Sequence, residues 1–354
     1  MARRRYKGFK KRPSRSSGLD RKKSYMRWII VLLVIILAGV FITKQLGKPK
    51  DEIEDFVNHS QQNPGGDKNV NGGDGSGGNN GEPGRNQIDV LPPEKDVETS
   101  EETKKRIASA VKEFETDKII SSRNALNKIL HDATLSHKDR ADVKQLLSKL
   151  SELWLFSKQV FADDTLTGEY QVAKGDYFST IAPKYKVPYE IIMRVNGITN
   201  AIKLPLRKIK IVKGPFRAKI QLSKFNLDLY LQDQYVKSYK VGIGKPGEKT
   251  TTPTGRWRLN RAGKSDQGPS WPNDATGKMV VASDPEYPLG ARWIPITCYE
   301  GDGVGRTGFA LHGTNDPKTI GTRCSLGCIR LRDDHAIEVY NMLAAGISKV
   351  DIVK

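Results

Sequence analysis

The sequence predicts a multidomain protein: a mainly β C-terminal domain, a compact βααβ module before it, and a small all-α helical region before that. Three observations predict this. Apolar residues recur at helical spacing through residues 99–165; the pattern becomes strand, helix, helix, strand over 169–213; from Phe216 onward, short alternating runs broken by Gly, Pro and Asn dominate. A chain of 354 residues has room for two or three domains. Ahead of the helices lie a basic tail (1–27), an apolar run (28–46) and a Gly/Asn-rich linker (47–98).

The formal net charge is +19, and its placement matters more than its size. Residues 1–27 hold twelve Lys or Arg against one Asp. A basic tail can bind nucleic acid, but this one stops directly at the non-polar run WIIVLLVIILAGVFI, residues 28–42. We therefore read the charge as topological and expect no nucleic-acid partner. Fifteen helical residues cover about 22 Å, short of a hydrocarbon core of ~30 Å. Extension to Leu46, an aromatic anchor at Trp28 and snorkelling of Arg27 and Lys44 close the gap. The expectation is a membrane-anchored, single-pass protein with a cytoplasmic N-terminus and its bulk outside the membrane. A cleaved signal peptide and a buried core helix are the competing readings; the run offers only Ala38 and Val40 as a weak cleavage pair. In the linker, residues 65–84 contain nine Gly and little that could offset ordering entropy, so the segment reads as a tether.

In the helical region, Thr99 or Ser100 can cap a first helix with Ile107, Val111 and Phe114 on one face. A second fits 122–132, and a third begins near Ser136 with Val143, Leu146, Leu147, Leu150, Leu153 and Trp154 as its stripe. They would form a small bundle or paired hairpins, whose protein partner the sequence does not reveal. His131 and His137 lie on exposed polar stretches and read as solvated.

Residues 170–212 begin with a short strand, 170–172, and a turn at Lys174-Gly175-Asp176. A helix carrying Ile181, Ala182 and Tyr185 follows, then a second carrying Ile191, Ile192 and Val195 that ends at Asn196-Gly197, and a closing strand, 209–212. This text resembles a LysM module over its full length. The resemblance implies glycan binding, in peptidoglycan above all, in a groove between the loop after the first strand and the 197–204 loop. Carried over, that groove involves Gly175, Asp176, Tyr177, Phe178 and Asn200. A purely structural spacer is the alternative.

In the C-terminal domain, residues 218–232 alternate as one strand that turns at Asp233-Gln234 into a hairpin partner; 261–277 lack periodicity and read as an insertion or flap. A strand is expected at 278–282, a late helix from Asp333 through His335, Ile337, Val339, Tyr340 and Leu343, and a last strand at 350–353. The chemistry-bearing text is FALHGTNDPKTIGTRCSLGCIRLRDD, residues 309–334. Cys298, Cys324 and Cys328 are too few for a disulfide-built domain, and an odd number in an exported chain leaves one thiol outside any internal pair. A thiol of ordinary pKa, ~8.5, is only a few per cent thiolate at neutral pH, so a nucleophile needs a base nearby. His312 precedes Cys328 at a strand end, Gly327 leaves room beside the sulfur, and Arg330 would share its face. Spacing alone also admits an inert buried Cys328, or a zinc site from Cys324, Cys328, His312 and His335, although the offsets match no zinc pattern.

HGT at 312–314, S-x-G-C-I-R at 325–330 and PTG at 253–255 make residues 216–354 resemble the catalytic domain of L,D-transpeptidases of the YkuD type. Leu326 stands where many members have a second His. The resemblance implies a cysteine acyltransferase of cell wall biogenesis, with peptidoglycan stem peptides and glycan strands as partners. It places Cys328 as nucleophile and His312 as its proton acceptor, with the ring held by the Gly313 carbonyl and the Gly327 and Cys328 amides facing the oxyanion. Arg330 would grip a stem carboxylate or form a salt bridge with Asp333 or Asp334. Ser325 would support the site, and Trp293 and Tyr299, with Trp271, would wall the donor groove or serve as core or lid. Cys324 would form a regulatory disulfide or fill space. No cofactor and no metal are implied, because a thioester itself carries the activated acyl group.

Overall fold

The computed structural model describes residues 97–202, 204–273 and 276–354, so the expected basic tail, the membrane span and nearly all of the linker lie outside the described residues. Among the described residues no helix is long and apolar enough to cross a membrane.

Ser100 caps α1 (Glu101–Glu115), its hydroxyl accepting from Thr103 N at 3.2 Å. The face that α1 buries is Thr103, Ala110 and Phe114, rotated from the expected stripe, with Ile107 and Val111 half-buried. α2 (Ile119–Leu130) starts three residues before the expected 122, because Ile119 and Ile120 are themselves buried. Ser136 caps α3 (His137–Trp154), accepting from Asp139 N at 3.1 Å, and Val143, Leu147, Leu150 and Trp154 form its buried stripe.

In the βααβ module, β1 (Thr167–Gln171) pairs antiparallel with β2 (Lys208–Val212). Between them, α4 (Phe178–Ile181) tightens into a 3-10 turn at Ala182–Tyr185 where Pro183 interrupts the ladder. α5 (Tyr189–Asn196) ends on Gly197 in the left-handed region, φ 63°. Buried Asn196 ties α5 to β2: its amide donates to Ile192 O at 2.8 Å and Lys210 O at 2.7 Å, and its oxygen accepts from Lys210 N at 2.8 Å.

The C-terminal domain opens with β3 (Phe216–Gln221) and β4 (Asn226–Leu231), which replace the single strand expected over 218–232. A 3-10 turn at Leu222–Lys224 reverses the chain, with Phe225 at φ 47°. No Gly or Asn marks that left-handed position, so the turn carried no sequence signal. β5 (Gln234–Lys240), β6 (Ile243–Gly244) and β7 (Gly255–Leu259) follow. β8 (Trp271–Pro272), within the expected flap, pairs in a small hairpin with β9 (Met279–Val280), which is all that forms of the strand expected at 278–282. β10 (Trp293–Glu300) was not expected, since Pro295 demotes a strand reading, yet it lies between β7 and β11 (Ala310–His312). β12 (Arg323–Ser325), β13 (Ile329–Arg330), α6 (Asp333–Met342) and β14 (Lys349–Val353) complete the chain. The main sheet has eight strands in the order β13-β11-β10-β7-β14-β3-β4-β5; the β11/β13 and β3/β14 pairs are parallel.

The helices do not form a freestanding bundle. α3 packs along edge strand β5; Asn127 Oδ1 of α2 accepts from Tyr235 N of β5 at 2.7 Å, and Lys144 of α3 pairs with Asp228 of β4 at 2.6 Å. A buried pair, Arg123–Asp164 at 3.0 Å, joins α2 to the segment entering β1. Lys210 Nζ donates to the carbonyls of Trp154, Ser157 and Gln159; burial pulls its ammonium down to about 8, opposed by Asp164. Glu338 on α6 binds Arg194 of α5 at 3.2 Å and Lys237 at 2.9 Å, which docks the βααβ module on the C-terminal domain.

Candidate active site

The parallel pair β11/β13 brings the HGT and GCIR segments together. Leu311 lies opposite Ile329 and His312 opposite Arg330, so paired side chains share a face. Cys328 lies in the bend just before β13, and its thiol meets the β11 side of the site at Gly308 O and the Ala310 N–H. Trp293, opposite His312 on β10, stacks on its ring with centroids 5.6 Å apart.

His312 is 2% exposed, and its Nδ1 lies 2.7 Å from Gly313 O. A carbonyl can only accept, so Nδ1 carries the proton and Nε2 is left as the basic nitrogen. Burial pushes the imidazole down to about 4; the Gly313 and Leu289 carbonyls oppose that shift, and Arg330 adds to it. Cys328 is half-buried, with Sγ 3.5 Å from Gly308 O. Burial pushes the thiol up, against the Ala310 N–H and the positive charge of Arg330. Burial thus favours the neutral form of both the thiol and the imidazole.

Ser325 organises the cysteine loop. Its hydroxyl donates to Cys328 O at 2.6 Å and accepts from Gly327 N at 3.1 Å. The Gly327 amide, expected to face an oxyanion, is committed to that serine, which leaves the Cys328 amide for the role. Gly327 itself is required: at φ 122°, an added Cβ would lie 2.8 Å from the Phe309 ring. Thr252, which sequence reasoning missed although PTG follows it, braces the loop from below. Its hydroxyl donates to Gly327 O at 2.9 Å and accepts from Gly244 N at 2.8 Å.

Arg330 forms no ion pair with Asp333 or Asp334. Asp334 pairs with Arg332 at 3.0 Å, and Asp333 accepts from Ala291 N and Thr314 N, each at 3.0 Å. Among the described residues, Arg330 Nε is buried without a hydrogen-bond partner. A buried guanidinium N–H lacking an acceptor suits an incoming carboxylate. Tyr299 is not at this site: it lies six residues along β10 from Trp293, about 20 Å away, with Arg258 over its ring. Trp271 is half-buried in the flap hairpin.

All three cysteines are free thiols. The Cys324 sulfur lies against Gly242, where an added Cβ would be 2.6 Å from it. Among the described residues no three His, Cys, Asp or Glu side chains are grouped to hold a metal, so Cys324, Cys328, His312 and His335 do not assemble as ligands. Leu326 is 64% exposed.

In the βααβ module the expected glycan residues divide. Tyr177 is 63% exposed and Asn200 is exposed, whereas Phe178 is 3% exposed and belongs to the module's core. An aromatic at the first position of α4 faces inward, against the Tyr189 ring at 6.4 Å. Asp176 is occupied in its own turn, accepting from Ala173 N at 2.8 Å and Tyr170 Oη at 2.9 Å, after Gly175 at φ 94°. Ile202 and Leu206, both exposed, are apolar surface on the opposite loop that the sequence reading did not single out.

Comparison with known proteins agrees with this division. Residues 215–352 match the sequence model of the YkuD L,D-transpeptidase catalytic domain, and residues 170–205 that of the LysM domain. A putative L,D-transpeptidase YkuD of Bacillus licheniformis is 26% identical over 185 residues, covering 50% of this chain and 94% of the relative. A probable L,D-transpeptidase of Escherichia coli, YcfS, is 29% identical over 218 residues, covering 54% of this chain and 64% of its own length. Among solved structures, an L,D-transpeptidase from Mycobacterium smegmatis is 16% identical with a TM-score of 0.29; the match covers 43% of this chain and 65% of that one.

Proposed function

We propose that this chain, which carries a YkuD-type L,D-transpeptidase catalytic domain behind a LysM domain, cross-links peptidoglycan through a thioester on Cys328. The observation that carries the reading is the edge of the sheet where the His312 strand, its imidazole held through Nδ1 by Gly313 O, pairs with the strand that follows Cys328 and bears Arg330, whose buried Nε has no hydrogen-bond partner among the described residues.

His312 Nε2 takes the thiol proton as Sγ attacks the carbonyl that precedes the terminal D-alanine of a tetrapeptide stem. The C–N bond then breaks, Nε2 returns the proton to the leaving amine, and D-alanine departs, leaving a thioester. The Cys328 amide faces the oxyanion, and a donor of that kind is worth on the order of 3 kcal/mol. Arg330 holds a stem carboxylate. The amine of a second stem attacks the thioester, giving a 3-3 cross-link and regenerating the thiol. The apolar run at 28–46 anchors the chain in a membrane with its N-terminus in the cytoplasm, and the LysM domain holds glycan near the site.

Intact-mass analysis of the full chain with a disaccharide-tetrapeptide, beside Cys328→Ala, tests this. The expected result is an acyl adduct absent from the variant, released D-alanine and a cross-linked dimer. D-alanine with only a tripeptide product would make the enzyme a carboxypeptidase. A folded, glycan-binding protein that forms no adduct would rule out this donor, leaving protein-to-wall attachment or simple wall binding.

A further inference from the structure

The histidine of this site is held by a carbonyl, where serine hydrolases use a carboxylate. A carboxylate is nevertheless one peptide away. Asp333, at the first position of α6, does not cap its own helix; Oδ1 accepts from Thr314 N and from Ala291 N, each at 3.0 Å. Thr314 N belongs to the same peptide plane as Gly313 O, which accepts the His312 Nδ1 proton at 2.7 Å. In a trans peptide the N–H and C=O point in opposite directions, so a charge-assisted bond at the N–H strengthens the C=O as an acceptor.

Two glycines make the approach possible. A Cβ on Gly313 or on Gly290 would overlap Asp333 Oδ1, and Gly290 also has φ 62°. The glycine of the HGT motif is therefore the residue that admits the carboxylate behind the histidine.

We propose that Asp333 is a positioning residue for His312, acting through the Gly313–Thr314 peptide to hold the Nδ1–H tautomer and to stabilise the imidazolium that forms when Nε2 takes the thiol proton. No bond to Asp333 forms or breaks, and the proton on Nδ1 stays there throughout. The inference rests on the proposed acylation for its kinetic consequence but not for its hydrogen-bond geometry.

The test compares the full chain with Asp333→Asn and Asp333→Ala. The asparagine oxygen still accepts from both amides, so the loop keeps its shape while the charge is lost; alanine loses both bonds. The His312 Nδ1–H proton resonance is read in histidine-labelled protein and assigned by its loss in His312→Gln. Asparagine is expected to shift that resonance upfield, and to lower kcat for acylation about tenfold with KM changed less than about twofold and melting unchanged. Asp333→Ser, smaller and also neutral, supplies the same readout if the amide distorts the loop. An asparagine variant indistinguishable from wild type in resonance and kcat, with alanine impaired, would overturn the proposal and leave Asp333 a structural staple. Should the wild-type chain acylate no stem donor, the proposed function fails while the resonance still decides this inference.

Discussion

At the scale of single residues, the chemistry of the site is decided by burial. His312 is almost fully enclosed, which holds its imidazole at about 4 and so uncharged at neutral pH. Partial burial raises the Cys328 thiol, so at rest both groups favour their neutral forms. The sign of the pH dependence follows. Below a raised thiol pKa the thiolate fraction grows about tenfold per pH unit, so alkylation of Cys328 by iodoacetamide is expected to be slow at pH 7 and to climb through the alkaline range. Peptide mass mapping separates it from Cys324. A rate already level from mildly acidic to neutral pH would mean a thiolate–imidazolium pair and would reject this picture.

At the scale of elements, the site is a junction of loops held by hydrogen bonds that no local pattern announces. Thr252 lies 75 residues before Gly327 in the chain, yet its hydroxyl joins Gly327 O to Gly244 N. Thr252→Val keeps the volume and removes both bonds, leaving a buried donor and acceptor unpaired at a cost of about 1–3 kcal/mol each. The acylation rate is expected to drop about tenfold as the cysteine loop loosens, with a lower melting temperature in calorimetry. A valine variant with wild-type rate and melting would show that the loop is held by other contacts. The same reasoning explains the two strands misjudged from sequence. Phe225 turns the chain without a turn residue, and Pro295 sits inside the sheet, its carbonyl accepting from Asn260 N at 3.0 Å.

At the scale of the molecule, the helical region, the βααβ module and the C-terminal domain fold against one another. Arg123 and Asp164 are buried together, and Arg123 also lies 4.3 Å over the Trp154 ring. Asp164→Ala strands a buried guanidinium, a change worth about 3–5 kcal/mol. Because α3 also covers β5 and Glu338 ties α5 to α6, calorimetry is expected to show one transition shifted down as a whole. A variant in which only part of the protein melts early would instead mean that the helices and the sheet unfold separately.

Much of this was legible in the chain. Capping serines, apolar periods and the Asn196-Gly197 stop are short-range signals, so the helical region and the βααβ module could be read directly, to within a few residues. His312, Cys328 and Arg330 were singled out through the HGT and S-x-G-C-I-R motifs and the resemblance these carry, since spacing alone also admitted an inert cysteine. What only the tertiary structure decided were the pairings between distant segments: β11 with β13, Thr252 under Gly327, Asp333 behind Gly313, Phe178 turned inward and Tyr299 carried away from the site. The physical reason is range. Hydrophobic period and capping act over a few residues, whereas the partner of a buried polar group is chosen by whichever segment the packed sheet brings within about 3 Å.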